Sequence, residues 1–420
     1  MRLLILSQYF PPEIGAPQVR LAAMVRQLLR CGHEVEVVTA MPNHPKGEIF
    51  PDYRGRVFVR ETREGVPVRR TWVYASMGRG LKRMMNYASF TVTCLPALAC
   101  CRRPDYVFVE SPPLFLGVPG WLAAARWRVP MIFNVADLWV DAAEEMGILK
   151  EGAMLRFARW LEKWSYRRAS FVNAVTDGVA RVLAESKGVP LEKLLFLPNG
   201  VDTELFRPMP PDEALARELG LDDRKVFLYA GTHGYAHAVE AALHAAQLLA
   251  NDPVQFLFVG DGSEKPRLRE LADRLALRNV RFLEPAPPAE VARLYSLAYA
   301  GLSTLRGLPL FEGARPVKVF AAMACGKPVV YGGRGEGARL VEQARCGLVV
   351  PPEDPPALVA AIRSLLAQPQ TAAQLGCNGR AHVEAHFSWQ VIVRDWLKQL
   401  QDPTFRPVRD ALVGPGPEPG

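Results

Sequence analysis

One feature constrains this chain more than any other: an alternation, met twice over, of short apolar runs, turn residues and amphipathic stretches of helical period. In the first series the runs fall at Leu3–Leu6, Val35–Val38, Tyr106–Val109, Met131–Val135 and Phe171–Ala174. Gln18–Leu29 is the first helical stretch, stopped by Cys31-Gly32. Strand, turn and helix in repeated order predict a parallel sheet covered on both faces, a Rossmann-like α/β domain. Leu194-Leu195-Phe196-Leu197 then runs into turn chemistry at Pro198-Asn199-Gly200, which reads as the crossing to a second domain. From Val226 the alternation resumes, with strands expected at Val226–Ala230, Phe256–Gly260, Arg281–Leu283, Gly301–Thr304, Pro328–Tyr331 and Gly347–Val350. Helices are expected between them at Val239–Leu249, Arg267–Leu275 and Leu358–Leu366, so a second Rossmann-like domain follows the first without repeating its sequence. The expected divisions are 1–195, 196–378, a C-terminal helix over 379–403 (read from Gly379–Leu400), and a disordered tail over 404–420, rich in proline and glycine.

Composition narrows the partners. A formal charge of +8 on 420 residues is mild; it suits diphosphates or an anionic membrane surface, and it suits a plain basic protein as well. There is no basic stripe interleaved with aromatics and no reader motif, which argues against nucleic acid. Seven cysteines, adjacent only at Cys100-Cys101, lack metal-ligand spacing and read as reduced thiols packed as small hydrophobes. Together with a first strand that starts at Leu3, where a secretory signal would carry a charged region and an apolar core, they point to the cytoplasm. The most apolar stretch is Ala88–Cys101, flanked by Arg79, Lys82 and Arg83 on one side and Arg102-Arg103 on the other. It is shorter than the ~20 residues that span a bilayer and is interrupted by Pro96. Two readings stay open for it: a buried helix, or a helix partly inserted in an anionic lipid surface at the inner face of the cell membrane.

The stretch Leu305–Val330 carries the chemistry. It reads as a loop, a short helix and a buried strand, with Pro316 as the first helical residue and Gly326 as the stop. A helix N-terminus presents unpaired amides and partial positive charge, a seat for phosphate, and Lys318 in the first turn adds a full charge. An ordinary α/β crossover would show the same outline. Pro316-Val317-Lys318-Val319-Phe320-Ala321-Ala322-Met323-Ala324-Cys325-Gly326-Lys327-Pro328-Val329-Val330 resembles the nucleotide-sugar helix of glycosyltransferase family 4. The likeness is to the bacterial branch that builds O-antigens and exopolysaccharides, including fucosamine-transferase-like enzymes. Tyr9-Phe10-Pro11-Pro12-Glu13-Ile14-Gly15-Ala16-Pro17, Asp137-Leu138-Trp139 and Pro198-Asn199-Gly200-Val201-Asp202 resemble further family segments in the family's order, so the likeness covers nearly all of the chain except its tail.

The resemblance implies the GT-B architecture, two facing Rossmann-like domains with a cleft between them. It implies transfer of a sugar from a nucleotide-diphosphate sugar to a glycan or polyprenyl-linked acceptor, with retention and without metal or cofactor. The last helix is expected to pack back on the first domain. Residue by residue, it makes Gly15 a donor-phosphate contact, where a turn glycine is the plain alternative. Asp137, at a strand's carboxyl end, becomes a base for the acceptor hydroxyl or a holder of sugar hydroxyls; as a plain residue it would cap a helix. Asn199, Thr232, His237, Arg306, Glu312 and Glu336 are expected to touch substrate, with Lys318 as the principal charge on the diphosphate.

Three departures from the family pattern matter. Val140-Asp141 follows Asp137-Leu138-Trp139 where the family continues with proline and glutamate. Thr232 or His233, and then His237, stand where many members have an arginine and a lysine. Ala321 and Gly313 stand where the family commonly has glutamates. Losing a charged hydrogen bond to a ligand costs about 1.5–3 kcal/mol, which opens a rival reading as a non-catalytic subunit of the same fold. A nucleotide-sugar epimerase on the same plan is a second rival. A dehydrogenase is disfavoured, because no Gly-x-Gly-x-x-Gly follows Leu3–Leu6.

Overall fold

The computed structural model describes residues 1–13, 15–44, 47–76, 81–145, 147, 151–221 and 224–402; Ile14, Arg79 and the tail from residue 404 lie outside them. The chain forms two units, one of Met1–Pro198 with the chain from Ile392 on, the other of Asn199–Val391.

The first unit is built on eight strands: β1 (Arg2–Leu6), β2 (Glu34–Ala40), β3 (Phe58–Arg63), β4 (Val66–Thr71), β5 (Tyr106–Ser111), β6 (Met131–Val135), β7 (Phe171–Ala174) and β8 (Leu194–Phe196). Their order is β3-β4-β2-β1-β5-β6-β7-β8, and every neighbouring pair is parallel except β3 with β4. The order reverses between β1 and β5, so the loops after those strands share one carboxyl edge, where α/β folds place ligands. The β3–β4 hairpin was not foreseen, and Leu194–Phe196, expected as the crossing between domains, is the last strand of this sheet. The apolar stretch Ala88–Cys101 belongs to a helix at Leu81–Ala99 that buries Phe90, Cys94, Ala97 and Leu98. Among the described residues no helix is long and apolar enough to cross a membrane.

The second unit has six strands, β9 (Lys225–Ala230), β10 (Val254–Val259), β11 (Val280–Leu283), β12 (Ala298–Thr304), β13 (Val329–Gly332) and β14 (Gly347–Val350), all parallel in the order β11-β10-β9-β12-β13-β14. Here the reversal lies between β9 and β12. Each expected strand is present, with ends moved by up to three residues. Phe227, Phe256 and Phe258 are fully buried on this sheet.

The single helix expected over Gly379–Leu400 is two, Pro369–His386 and Trp389–Gln401. At the break the Val201 N–H donates to the Phe387 carbonyl at 3.0 Å, and the Ser388 hydroxyl accepts the Val391 N–H at 3.4 Å. Ser388 is therefore a helix start that a continuous apolar period concealed. Within the first unit, the fully buried Trp396 donates Nε1–H to Asn173 Oδ1 at 3.1 Å, and Gln399 brackets the Phe196 backbone with hydrogen bonds of 2.8 and 3.0 Å.

Candidate active site

In the second unit the loop Gly231–His237 leaves β9, and Leu305-Arg306 leaves β12, so both open at the topological switch point. The helix Val317–Ala324 delivers Lys318 there. Pro316 is its N-cap in extended geometry (φ −63°, ψ 126°), one place earlier than expected, and no side chain caps the helix. The helix is apolar nearly all round, with Val319, Phe320, Ala322 and Met323 buried, so its rotation is set by the core and Lys318 cannot swing freely.

Lys318 is 9% exposed. Its Nζ lies 4.3 Å from the Tyr229 ring centre and 3.5 Å from His237 Nδ1. No ion pair reaches it among the described residues, and burial alone lowers its amino group to about 7. Gly231 makes room for it: a Cβ there would stand 2.9 Å from Lys318 Cε. His237 is held by its carbonyl, which accepts the Thr304 hydroxyl at 2.6 Å. Burial first, then the charge of Lys318, push its imidazole down to about 2, so it is neutral at physiological pH. An uncompensated buried ammonium beside a neutral imidazole is a poor arrangement for an empty protein and a good one for an incoming anion.

His233 is set apart from this group. It is fully buried among Tyr229, Phe258 and Phe282, and burial lowers its imidazole to about 4. Its N–H donates to the Asp261 carbonyl at 2.9 Å and its carbonyl accepts the Glu264 N–H at 2.9 Å, so it pins the loop to the core. Thr232 is exposed, with its carbonyl fixed by the Tyr229 hydroxyl at 2.7 Å. Arg306 is committed elsewhere: its guanidinium bonds Glu240 at 2.7 Å and Glu353 at 2.9 Å and stacks over Tyr235 at 4.1 Å. It braces the loop that holds His237, and its charge is largely neutralised in place.

Glu312 and Glu336 meet through the backbone. The Glu336 N–H donates to the Glu312 carbonyl at 2.6 Å, while the Glu312 side chain is exposed. The Glu336 carboxylate is buried and paired with Arg315 Nε at 2.9 Å. Gly335 between them has φ +74°, and a Cβ there would fall 2.0 Å from the Glu312 carbonyl oxygen. At Gly313 a Cβ would meet nothing within 4 Å, whereas Ala321 is buried in the core at 7% exposure.

In the first unit Gly15 is the N-cap of the helix Ala16–Arg30, with extended backbone (φ 179°). Glu13, two residues before it, belongs to the same Tyr9–Pro17 segment. It is 2% exposed, and its carboxylate accepts the N–H groups of Asn43 and His44, each at 2.8 Å, which folds the loop onto the segment after β2. Burial raises its carboxyl to about 7. Asp137 stands two residues beyond β6 with its side chain exposed, while the protein around it and then Asp141 lift its carboxyl above the ordinary range. Asn199 is half-buried at the start of the second unit. The structure thus joins Lys318 to His237, and Glu312 to Glu336, and assigns Arg306 to bracing. Tyr229, the aromatic floor under Lys318, was missed because an aromatic residue in a strand reads first as core.

Two domain families match the chain: glycosyl transferase 4-like domain over residues 15–200 and glycosyl transferases group 1 over residues 224–368. WcaI of Escherichia coli strain K12, whose name assigns it to colanic acid biosynthesis as a glycosyl transferase, is 27% identical over 96% of this chain and 100% of its own. The D-inositol 3-phosphate glycosyltransferase of Geodermatophilus obscurus is 31% identical over 90% of this chain and 82% of its own. Among solved structures, Anabaena HepE in complex with UDP and glucose superposes with a TM-score of 0.72 at 20% identity, covering 95% of this chain and 99% of that one. Sucrose-phosphate synthase of Thermosynechococcus elongatus superposes with a TM-score of 0.74 at 22% identity, covering 96% and 99%. The chain belongs to glycosyltransferase family 4 and is a glycosyltransferase of the GT-B type.

Proposed function

We propose that this glycosyltransferase takes a sugar from a nucleotide-diphosphate donor, without a metal, and passes it with retention to a glycan or polyprenyl-linked acceptor in the synthesis of a cell-surface polysaccharide. The observation that carries the donor assignment is Lys318: a buried amino group with no ion-pair partner among the described residues, at the switch point of a parallel sheet and in the first turn of a helix that no side chain caps. When the bond from the anomeric carbon to the phosphate oxygen breaks, negative charge grows on the departing diphosphate. A preorganised cation and amide dipoles then stabilise the transition state more than the ground state. His237 keeps a neutral ring beside that charge and offers a hydrogen bond. On the acceptor side Asp137 receives the hydroxyl proton or holds the sugar, and its raised basicity suits the first role. The HepE complex with UDP and glucose supports a uridine diphosphate sugar as the first donor to try, and the near full-length match to WcaI supports polysaccharide synthesis over other outlets.

The test is a thermal-shift screen of the whole chain against uridine, guanosine, adenosine and thymidine diphosphate sugars. One of them raises the unfolding temperature, and Lys318→Ala removes the rise. A shift that survives Lys318→Ala refutes the assignment of the diphosphate to this residue. Ala321 and Gly313 favour a second reading, a subunit of this fold that has given up the reaction. That reading predicts no heat on titration with any of these nucleotides.

A further inference from the structure

The helix Ala153–Arg168 has two apolar faces, and the fold uses one of them. Leu155, Ala158, Leu161 and Tyr166 are buried in the first unit's core. On the outward face Met154, Phe157 and Trp160 are 48%, 45% and 58% exposed. The aromatic rings are ordered as a ladder: Phe157 stacks on Trp160 at 5.8 Å, Trp160 on Trp164 at 6.5 Å, and Trp164 meets Trp121 edge-on at 5.6 Å. Contiguous exposed aromatic surface of this kind marks a contact site.

The rim says what covers it. Arg156, Lys163, Arg167 and Arg168 are exposed and have no carboxylate partner among the described residues, and Arg168 lies over the Trp121 ring at 5.2 Å. Arg159 is neutralised by Glu144, and the one acid on the helix, Glu162, is buried and bound to Lys187. Glu151 stands ahead of the first turn. A second copy docked by this face would set one basic rim against another, which disfavours a symmetric dimer. A basic rim around Trp and Phe side chains matches the interface of an anionic bilayer, where indole rings sit at headgroup depth and each basic side chain gains attraction. We infer that the ladder on Ala153–Arg168 seats this protein on an anionic lipid surface. The apolar pocket lined by Met84, Tyr87, Phe115, Trp139 and Leu161 borders Met154 and Phe157, so the ladder continues inward toward the segment after β5. The helix Leu81–Ala99 also exposes Met85, Val92 and Leu95, but its two aromatic side chains, Tyr87 and Phe90, are buried, so the aromatic ladder is the stronger seat.

The experiment uses the full chain without nucleotide, so its result is independent of the donor assignment. Sedimentation with vesicles rich in phosphatidylglycerol at low salt is expected to pellet the protein. Vesicles of phosphatidylcholine alone, or high salt, are expected to leave it in solution. The double variant Phe157→Ser/Trp160→Ser, and separately Arg156→Glu/Lys163→Glu, should each reduce partitioning about tenfold or more at unchanged unfolding temperature. Phosphatidylglycerol brominated on its acyl chains should quench tryptophan fluorescence, and Trp160→Phe should lose part of that quenching while still binding. The inference is overturned if the wild-type protein ignores anionic vesicles, if both double variants bind normally, or if binding is lost only on replacing Val92 and Leu95 of the helix Leu81–Ala99. It is equally overturned if light scattering shows that the variants break a dimer.

Discussion

Lys318 combines a cost in the empty protein with a use in the occupied one. Its amino group sits near 7 when folded against 10.5 for the free side chain, so below pH 7 both states are protonated and the full cost of burying the charge is present. Between 7 and 10.5 the unfolded chain binds the extra proton, and stability rises with pH as the penalty fades. Lys318→Met should therefore stabilise the ligand-free protein, by about 1–3 kcal/mol at most below pH 7 and progressively less toward pH 10, raising its unfolding temperature while abolishing the donor-induced shift. Scanning fluorimetry across pH checks both signs. A donor diphosphate raises the same amino group, so binding should take up a proton above pH 7, with affinity falling by up to about tenfold per pH unit there. Calorimetry in two buffers of different ionisation heat reads this directly, and a pH-independent affinity would contradict it. Lys318 was legible because a helix start after a proline, with lysine in the first turn, is a local pattern. The floor under it was not, since only packing tells Tyr229 from the other aromatic residues of its sheet.

Elements differ in how much of them a local pattern can carry. The parallel strands show as apolar runs because both faces are covered. The β3–β4 hairpin does not: its strands read FVRETR and VPVRRT, rich in charge because the hairpin lies at the sheet's edge. Its turn, with Glu64 and Gly65 at φ 54° and 77°, is the two-residue form that suits twisted antiparallel strands. The loop before the helix Glu336–Gln343 offers a paired test. Gly335→Ala should cost about 1–3 kcal/mol, from positive φ and from a Cβ driven into the Glu312 carbonyl, and should displace the start of that helix. Gly313→Ala, in open space, should lie within about 0.5 kcal/mol of the parent. Denaturant unfolding of the two variants distinguishes them, and equal losses would refute the account.

At the scale of the whole molecule the chain crosses between its two units twice, after Pro198 and after Val391, and its last described helix joins the first unit's sheet through Trp396 and Gln399. Two cores of this kind need not unfold together. Trp396→Ala should cost about 3–5 kcal/mol, through the lost indole volume and the orphaned Asn173 amide, and should lower one calorimetric transition while leaving the other in place. A uniform shift of the whole profile would show that the two units melt as one. Much of this architecture follows from sequence alone, since a period of two or of 3.6, a glycine stop and a proline start are properties of neighbouring residues. Hence two Rossmann-like domains, the five central strands of the first and all six of the second, and the lysine-bearing helix were readable in order. Only the tertiary structure decided which charges remain available. It bound Arg306 to Glu240 and Glu353, sank His233 into an aromatic core, closed Arg315 on Glu336, and left Lys318 buried without a counter-ion among the described residues. The reason is that a side chain's charge state and freedom are set by groups brought within a few ångströms of it from positions 66 to 81 residues away, as between Arg306 and Glu240 or Lys318 and His237.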